Sequence, residues 1–156
     1  MKWLVFSDSH GYIDGMRRAI ELEKPDRVLH LGDVVRDGVK LSVACPGLEL
    51  EQVRGNCDPV DNGPPEEREL FFGLHRVWML HGHTYWVKSG INLLADEART
   101  RGVEVALFGH THKPLCTRQG ALWIMNPGTA GGRPMVTYGI IEEREGELYC
   151  RTAVVE

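Results

Sequence analysis

The sequence contains no long apolar run. The stretch MKWLVFSDSH offers only four consecutive apolar residues before Ser7 and Asp8, and nothing approaches 18 in a row, so neither a signal-peptide core nor a membrane-spanning helix is expected. Close pairs of cysteines are missing too. Cys45, Cys57, Cys116 and Cys150 are widely spaced, with no CxxC, which excludes a zinc knuckle and a thioredoxin-like redox motif and points to a reduced, cytoplasmic setting. Basic residues are in deficit: 18 Lys and Arg stand against 22 Asp and Glu, a formal charge of −4. No chain-wide positive field exists to hold a polyanion by counterion release, so nucleic acid is not an expected partner. Internal repeats and low-complexity tracts are lacking as well. What is present is a chain of 156 residues, 42% hydrophobic and 26% charged. That balance predicts a single domain over 1–156 with a core large enough to stand without disulfides.

Short apolar runs recur, each stopped by a polar cluster: WLVF before Ser7 to Gly11, RVLHL before Gly32 and Asp33, and LELEQV before Arg54 to Asp58. Later come RVWML before His81 to His83 and VEVALF before Gly109 to His112. Runs of this length, rich in Val and Leu and ended by Gly, predict five buried strands that deliver polar residues from the same end. Between the first two, residues 12–25 carry Ile13, Met16, Ala19, Ile20 and Glu23 at helical spacing, with Pro25 closing the segment. Residues 89–102 repeat the pattern, with Ser89 as N-cap, Ile91, Leu94, Ala95 and Ala98 as the apolar stripe and Gly102 as C-cap. Strand, helix, strand in succession implies parallel crossovers and an α/β core. From Leu115 onward alternation and Gly turns predict antiparallel hairpins. Another hairpin is expected over RELFFGLHRVWML, turning near Gly73 and Leu74, and residues 61–69 read as a polar, Pro-rich surface loop.

The chemistry collects where the strands end. His81 and His83 form HGH, His110 and His112 lie in GHTH, and His10 lies in DSHG. In open α/β sheets ligands gather beyond the carboxyl ends of strands, so these imidazoles, with Asp8, Asp33 and Asn56, can converge on one crevice. A lone HxH on a strand usually packs or faces solvent; five polar clusters in register are harder to account for so, because each uncompensated buried polar group costs about 2–7 kcal/mol. An oxygen and nitrogen donor set without thiolate suits Mn, Fe, Ni or Zn better than Ca or Mg. On an extended segment Asp8 and His10, at i and i+2, point the same way and can chelate one ion, as can His110 and His112. So many ligands exceed one coordination sphere. Two divalent ions sharing a carboxylate fit the count, with Asp33 as the natural bridge.

The ordered motifs DSH (8–10), GD (32–33), GNCD (55–58), HGH (81–83) and GHTH (109–112), followed by NPGT (126–129), resemble those of the calcineurin-like metallophosphoesterases. The resemblance is to their small prokaryotic, YfcE-like phosphodiesterase branch and covers nearly the whole chain. It implies an α/β/β/α fold, a two-sheet β-sandwich flanked by helices. It further implies that Asp8, His10 and His112 hold a first metal ion, that Asp33 bridges, and that Asn56, His81 and His110 complete a second, with manganese first among Mn, Ni, Fe and Zn. His83 matches the pattern at a substrate-facing position. A homo-oligomer, dimer or larger, goes with the same resemblance.

The activity so implied is hydrolysis of a small phosphoester by in-line attack of a metal-bridging hydroxide, with Asn56 ligating through its oxygen while its amide group donates to a phosphoryl oxygen. Cys57 stands where the superfamily usually has a histidine. With a thiol pKa near 8.5 it is a poor general acid, so Cys57, Asp58 and His83 are the remaining candidates for handling the proton, and esters with good leaving groups are favoured. Arg36, Arg54, Lys113 and Arg133 lie near motifs and are further candidates for phosphate. His30 reads as a buried, hydrogen-bonded residue, and Trp3, Trp78, Trp86 and Trp123 as core or interface. Two competing readings are a non-catalytic binding scaffold on the same fold, as in a trafficking subunit, and a nuclease, for which the chain has neither the length nor the positive charge.

Overall fold

In the computed structural model, which describes residues 1–132 and 135–155, strand β1 (Lys2–Phe6) buries four consecutive side chains. Trp3 and Val5 enter one apolar layer, and Leu4 and Phe6 enter another on the opposite face. A strand covered on both sides reads as an unbroken apolar run, which is why WLVF does not alternate.

The chain continues through α1 (Asp14–Glu23), β2 (Arg27–His30), α2 (Val35–Ala44), β3 (Leu50–Gln52), β4 (Glu67–Phe72), β5 (His75–Leu80), α3 (Asn92–Arg101) and β6 (Val105–Leu107). It ends with β7 (Leu115–Gln119), β8 (Leu122–Asn126), β9 (Val136–Arg144) and β10 (Glu147–Val155). One sheet runs β10-β9-β1-β2-β3 and the other β4-β5-β6-β8-β7. The pairs β1–β2, β2–β3, β5–β6 and β6–β8 are parallel, and β1–β9, β9–β10, β4–β5 and β7–β8 are antiparallel. Trp3, Val5, Leu29, Phe72, Val77 and Leu107 share the core between the sheets. Helix α3 covers the outer face of the second sheet through Leu94, Ala95 and Ala98, while α1 and α2 cover the first through Met16, Ala19 and Leu41. The layers are therefore α/β/β/α, as the resemblance implied.

Several expectations need correction. Helix α3 is capped at Ile91 without a side-chain bond, and Ser89 lies in a preceding 3-10 turn, Val87–Ser89. Helix α1 stops at Glu23 because Lys24 turns left-handed before Pro25 is reached. The segment 61–69 is loop only as far as residue 66, since β4 begins at Glu67. Helix α2 was not anticipated: its buried positions are Asp37, Gly38 and Leu41, whereas Val39 and Val43 face solvent at 58% and 77% exposure. Trp3 and Trp78 are core and Trp123 packs against it, but Trp86 is 71% exposed. The β4–β5 hairpin turns at Gly73 and Leu74, between the paired Phe72 and His75, as expected.

Candidate metal centre

The loops after β1, β2, β5 and β6 bring Asp8, His10, Asp33, His81, His110 and His112 together. Asp8 Oδ1 lies 3.1 Å from His112 Nε2 and 3.8 Å from the Nε2 atoms of both His10 and His81. Asp33 spans the group: Oδ1 is 3.5 Å from His81 Nε2, and Oδ2 is 3.9 Å from His10 Nε2. His110 Nδ1 approaches His81 Nε2 at 3.2 Å. Asp8, His10 and His112 form one set of donors able to hold a cation, and Asp8, Asp33 and His81 form another. Asp8 is common to both sets, and Asp33 lies between His10 and His81. Asp8, Asp33 and His81 are buried, while the side chains of His10 and His112 are 39% and 47% exposed, so the cluster is open to solvent on the side of these two.

The donors are prepared for a cation. Asp8 Oδ2 accepts from Ser7 Oγ (2.6 Å) and from the His110 amide (3.0 Å), but the buried Oδ1, among three imidazoles, has no hydrogen-bond partner. Among the described residues only the half-exposed His112 imidazole, at 3.1 Å, comes close to it, and a buried polar atom without a hydrogen bond costs about 2–7 kcal/mol. His81 Nδ1 lies 2.9 Å from the Leu31 carbonyl, which can only accept, so Nδ1 carries the proton and Nε2 turns its lone pair to the cluster. Burial, then the neighbouring His81, lowers the pKa of His110, to which the Lys88 ammonium also contributes. Burial would raise the Asp33 pKa; the neighbouring His81, the Cys57 donors and His10 outweigh it and hold that carboxyl below its usual range.

The backbone corrects the reason given for pairing Asp8 with His10. Neither is extended: φ is 55° at Asp8, 47° at His10, 57° at Asp33, 69° at His110 and 64° at His112. Five of the six clustered residues therefore occupy the left-handed region, at about 1–3 kcal/mol each. Strain of that kind persists only where surrounding contacts impose it. Gly32 and Gly55 let the β2 and β3 loops touch, since a Cβ at Gly32 would strike the backbone of Gly55 and one at Gly55 would strike Asp33 Oδ1.

Asp58 fastens these two loops. Its Oδ2 accepts from the amides of Gly55 (2.7 Å) and Asp33 (2.9 Å), and its Oδ1 from Val35 (2.8 Å). It orients the chain around Asp33 and Asn56. Asn56 is exposed at the rim, its amide facing Cys57 Sγ at 3.7 Å; the next amide, Cys57 N, donates to Asp33 Oδ1 at 3.1 Å. Burial, then the Asp33 charge, raises the Cys57 thiol pKa. His83 lies tilted against His81 and His110 with ring centres 5.5 and 6.2 Å away, and its Nδ1 is buried without a hydrogen-bond partner. Burial, then His81, lowers its pKa.

Arg54 is committed to the Pro64 carbonyl and Glu66, Arg36 lines a small hollow of about 360 Å³ beside Cys57, and Lys113 lines a larger cleft. Arg133 lies outside the described residues.

A supporting layer was legible only in part: His30 is buried and hydrogen-bonded as expected, but its partners and the bonds made by Asn126 and Thr129 were not foreseen. Thr129 Oγ1 donates to the Asp8 carbonyl (2.8 Å), and Asn126 Nδ2 donates to the Gly109 carbonyl (3.0 Å) and to Thr111 Oγ1 (2.9 Å). His30 Nδ1 accepts from the Gly32 amide, His30 Nε2 meets Ser9 Oγ at 2.9 Å, and that hydroxyl donates to Asp37 Oδ2 at 2.7 Å. The NPGT motif and the serines flanking Asp8 were the available signals for part of this layer; Asp37, inside an unanticipated helix, had none.

The calcineurin-like phosphoesterase superfamily domain model matches residues 1–146. The chain belongs to that superfamily. It is 30% identical to a probable metallophosphoesterase of Mycoplasma pneumoniae, over 94% of this chain and 92% of the relative. It is 27% identical to the phosphodiesterase YfcE of Escherichia coli K12, over 91% and 88%. Among solved structures, wild-type Vps29 of Entamoeba histolytica complexed with Zn²⁺ superposes with a TM-score of 0.78 at 20% identity, covering 99% of each chain. That likeness places the superfamily's fold around the cluster just described.

Proposed function

We propose that this chain is a metal-dependent phosphodiesterase acting on small phosphoesters. The observation that carries the reading is Asp8 Oδ1, buried, unpartnered and ringed by the Nε2 atoms of His10, His81 and His112. Membership of the superfamily and the similarity to YfcE support the reaction class. In this reading Asp8, His10 and His112 would hold one divalent ion and His81, His110 and Asn56 a second, with Asp33 the carboxylate between them. Manganese leads the candidates, and Ni, Fe and Zn suit the same donors. The chemistry such ions supply is a hydroxide nucleophile at neutral pH and neutralisation of phosphoryl charge.

The chain's own residues do the rest. Asp58 and Asn126 fix the loops, so the donors need no reorganisation when substrate arrives. Asn56, neutral and exposed, offers its amide to a phosphoryl oxygen without the repulsion a carboxylate would bring. Cys57, its thiol pKa raised, is a weak proton donor, so esters whose alcohol departs unaided are the better substrates. Among the described residues no helix is long and apolar enough to cross a membrane, and the four free thiols suit a cytoplasmic site of action.

The test is hydrolysis of bis(4-nitrophenyl) phosphate by metal-stripped and Mn-reconstituted protein, with Asn56→Ala and His81→Ala alongside and with duplex and single-stranded DNA as competing substrates. Metal-dependent turnover of the small diester, reduced at least a hundredfold in His81→Ala, is expected. Equal activity in both variants would remove the assignment. A metal-replete protein that hydrolysed none of these while binding a partner protein would mark a scaffold, and preference for DNA would mark a nuclease.

A further inference from the structure

Beside the His110–His112 loop lies a cleft of about 720 Å³, within the range of small-molecule sites. Its floor is apolar: Val87 and Phe108 are 4% and 2% exposed, and Ile91, Pro114 and Leu115 continue the wall. Two cations, Lys88 and Lys113, border it, and no carboxylate is among the described residues that line it. Neither ammonium group is in an ion pair among the described residues.

The cleft and the cluster share one loop. Thr111, which lines it, sits between His110 and His112, and its hydroxyl is held by Asn126 Nδ2 at 2.9 Å and accepts from the Lys113 amide at 3.2 Å. The same short loop thus carries two clustered imidazoles, one wall of the cleft and one of its lysines. A phosphoryl group at the cluster leaves its organic substituent to be placed, and this cleft adjoins that position.

We propose that the cleft binds the organic group of the phosphoester and selects esters in which that group is a flat apolar ring bearing a second anionic substituent. This rests on the phosphodiesterase reading and goes beyond it by naming the substrate class. The ring lies over the buried floor of Val87 and Phe108 and covers Leu115, which is 37% exposed and gains by leaving water. Its anion meets Lys88 and Lys113, whose charges have no competing carboxylate in the cleft.

Two esters that release the same chromophore test this: 4-nitrophenyl phenyl phosphate and 4-nitrophenyl 4-carboxyphenyl phosphate. In the Mn-reconstituted protein kcat/KM is expected to be about tenfold higher for the carboxylated ester, the worth of one charge-assisted contact. In Lys88→Gln/Lys113→Gln that ratio falls to about one. A metal-free readout accompanies it. Fluorescence of 8-anilinonaphthalene-1-sulfonate, a flat ring system with one anionic group, reports saturable binding that weakens about tenfold in the lysine double variant and in Leu115→Glu. Equal kcat/KM for the two esters overturns the proposal. So does an equal loss on both esters in the double variant, which would assign the lysines to the phosphoryl group, and so does dye binding indifferent to all three substitutions. If the dye binds through the lysines but no diester is hydrolysed, the chemistry of the cleft stands and the phosphodiesterase reading fails.

Discussion

Replacing Asp58 with asparagine separates a positioning role from a proton-transfer role. The carboxylate accepts three backbone N–H groups, from Gly55 and Asp33 at Oδ2 and from Val35 at Oδ1, at 2.7, 2.9 and 2.8 Å. An asparagine keeps one oxygen, which can retain the Gly55 and Asp33 pair. Its NH₂ group then faces the Val35 N–H, donor against donor. The loss is one charge-assisted bond, about 1.5–3 kcal/mol, and the weakening of two others when the charge goes. Asp58 is half-buried, so solvent recovers part of this, and a net cost of about 2 kcal/mol is expected. For a chain of this length that lowers Tm by about 4–8 °C. Because Asp58 fixes the backbone at Asp33 and at the Asn56 loop, metal affinity measured by calorimetric titration falls roughly 10–100-fold, as for other residues that orient ligands. The pH–rate profile, by contrast, keeps its shape, since both carboxylate oxygens are taken up by backbone amides of the loops. A Tm and a metal affinity both equal to those of the parent protein would refute the positioning argument, and loss of one limb of the pH profile would make Asp58 the acid.

Two other predictions concern titratable groups. Burial lowers the His30 pKa to about 4 from 6.5, so below pH 6.5 the unfolded chain takes up a proton that the folded one refuses. Stability therefore falls between about pH 6.5 and 4, by about 3 kcal/mol in total; urea unfolding of metal-free protein should show this slope, and an equally steep slope in His30→Asn would contradict it. Cys57→His should raise turnover at least tenfold on alkyl esters with poor leaving groups while leaving nitrophenyl esters little changed, because an imidazole supplies the acid the thiol cannot. No gain on the alkyl esters would count against a missing acid.

The sequence made the ends of the strands legible because burial on both faces of β1, β2, β5 and β6 demands unbroken apolar runs, and the polar clusters begin where those runs stop. It did not reveal α2. Hydrophobic periodicity assumes that the apolar stripe faces inward, yet this helix turns Asp37, Gly38 and Leu41 inward. The reasons are specific contacts. Asp37 accepts from Ser9 Oγ and the Gly11 amide, and Gly38 packs where a Cβ would collide with the Gln52 side chain. The i, i+2 spacing of Asp8 and His10 pointed to the right residues for the wrong reason, since their proximity comes from left-handed backbone and not from an extended strand. Asp58 was legible as part of a motif, but its three amide donors come from residues 33, 35 and 55, and no local pattern announces them.

The strain and the orphaned oxygen have one origin. A strand ending at the sheet edge carries its next side chains past the crevice unless the chain turns at once, and a left-handed residue makes that turn within a single position. Asp8, Asp33 and His110 each turn within a few residues of a strand end, and His10 and His112 turn again two residues after Asp8 and His110. The bonds from Ser7, Thr129, Asn126 and Asp58 then hold these loops. These neighbours satisfy the backbone and Asp8 Oδ2, but they leave Oδ1 facing three imidazole nitrogens. The folded chain therefore carries, at one place, an unfavourable backbone and an unmet carboxylate oxygen. Neither contributes to the core, whose three apolar layers are complete without them. Both would be offset if divalent ions were held by Asp8 and the imidazoles around it, the two donor sets that meet at this carboxylate.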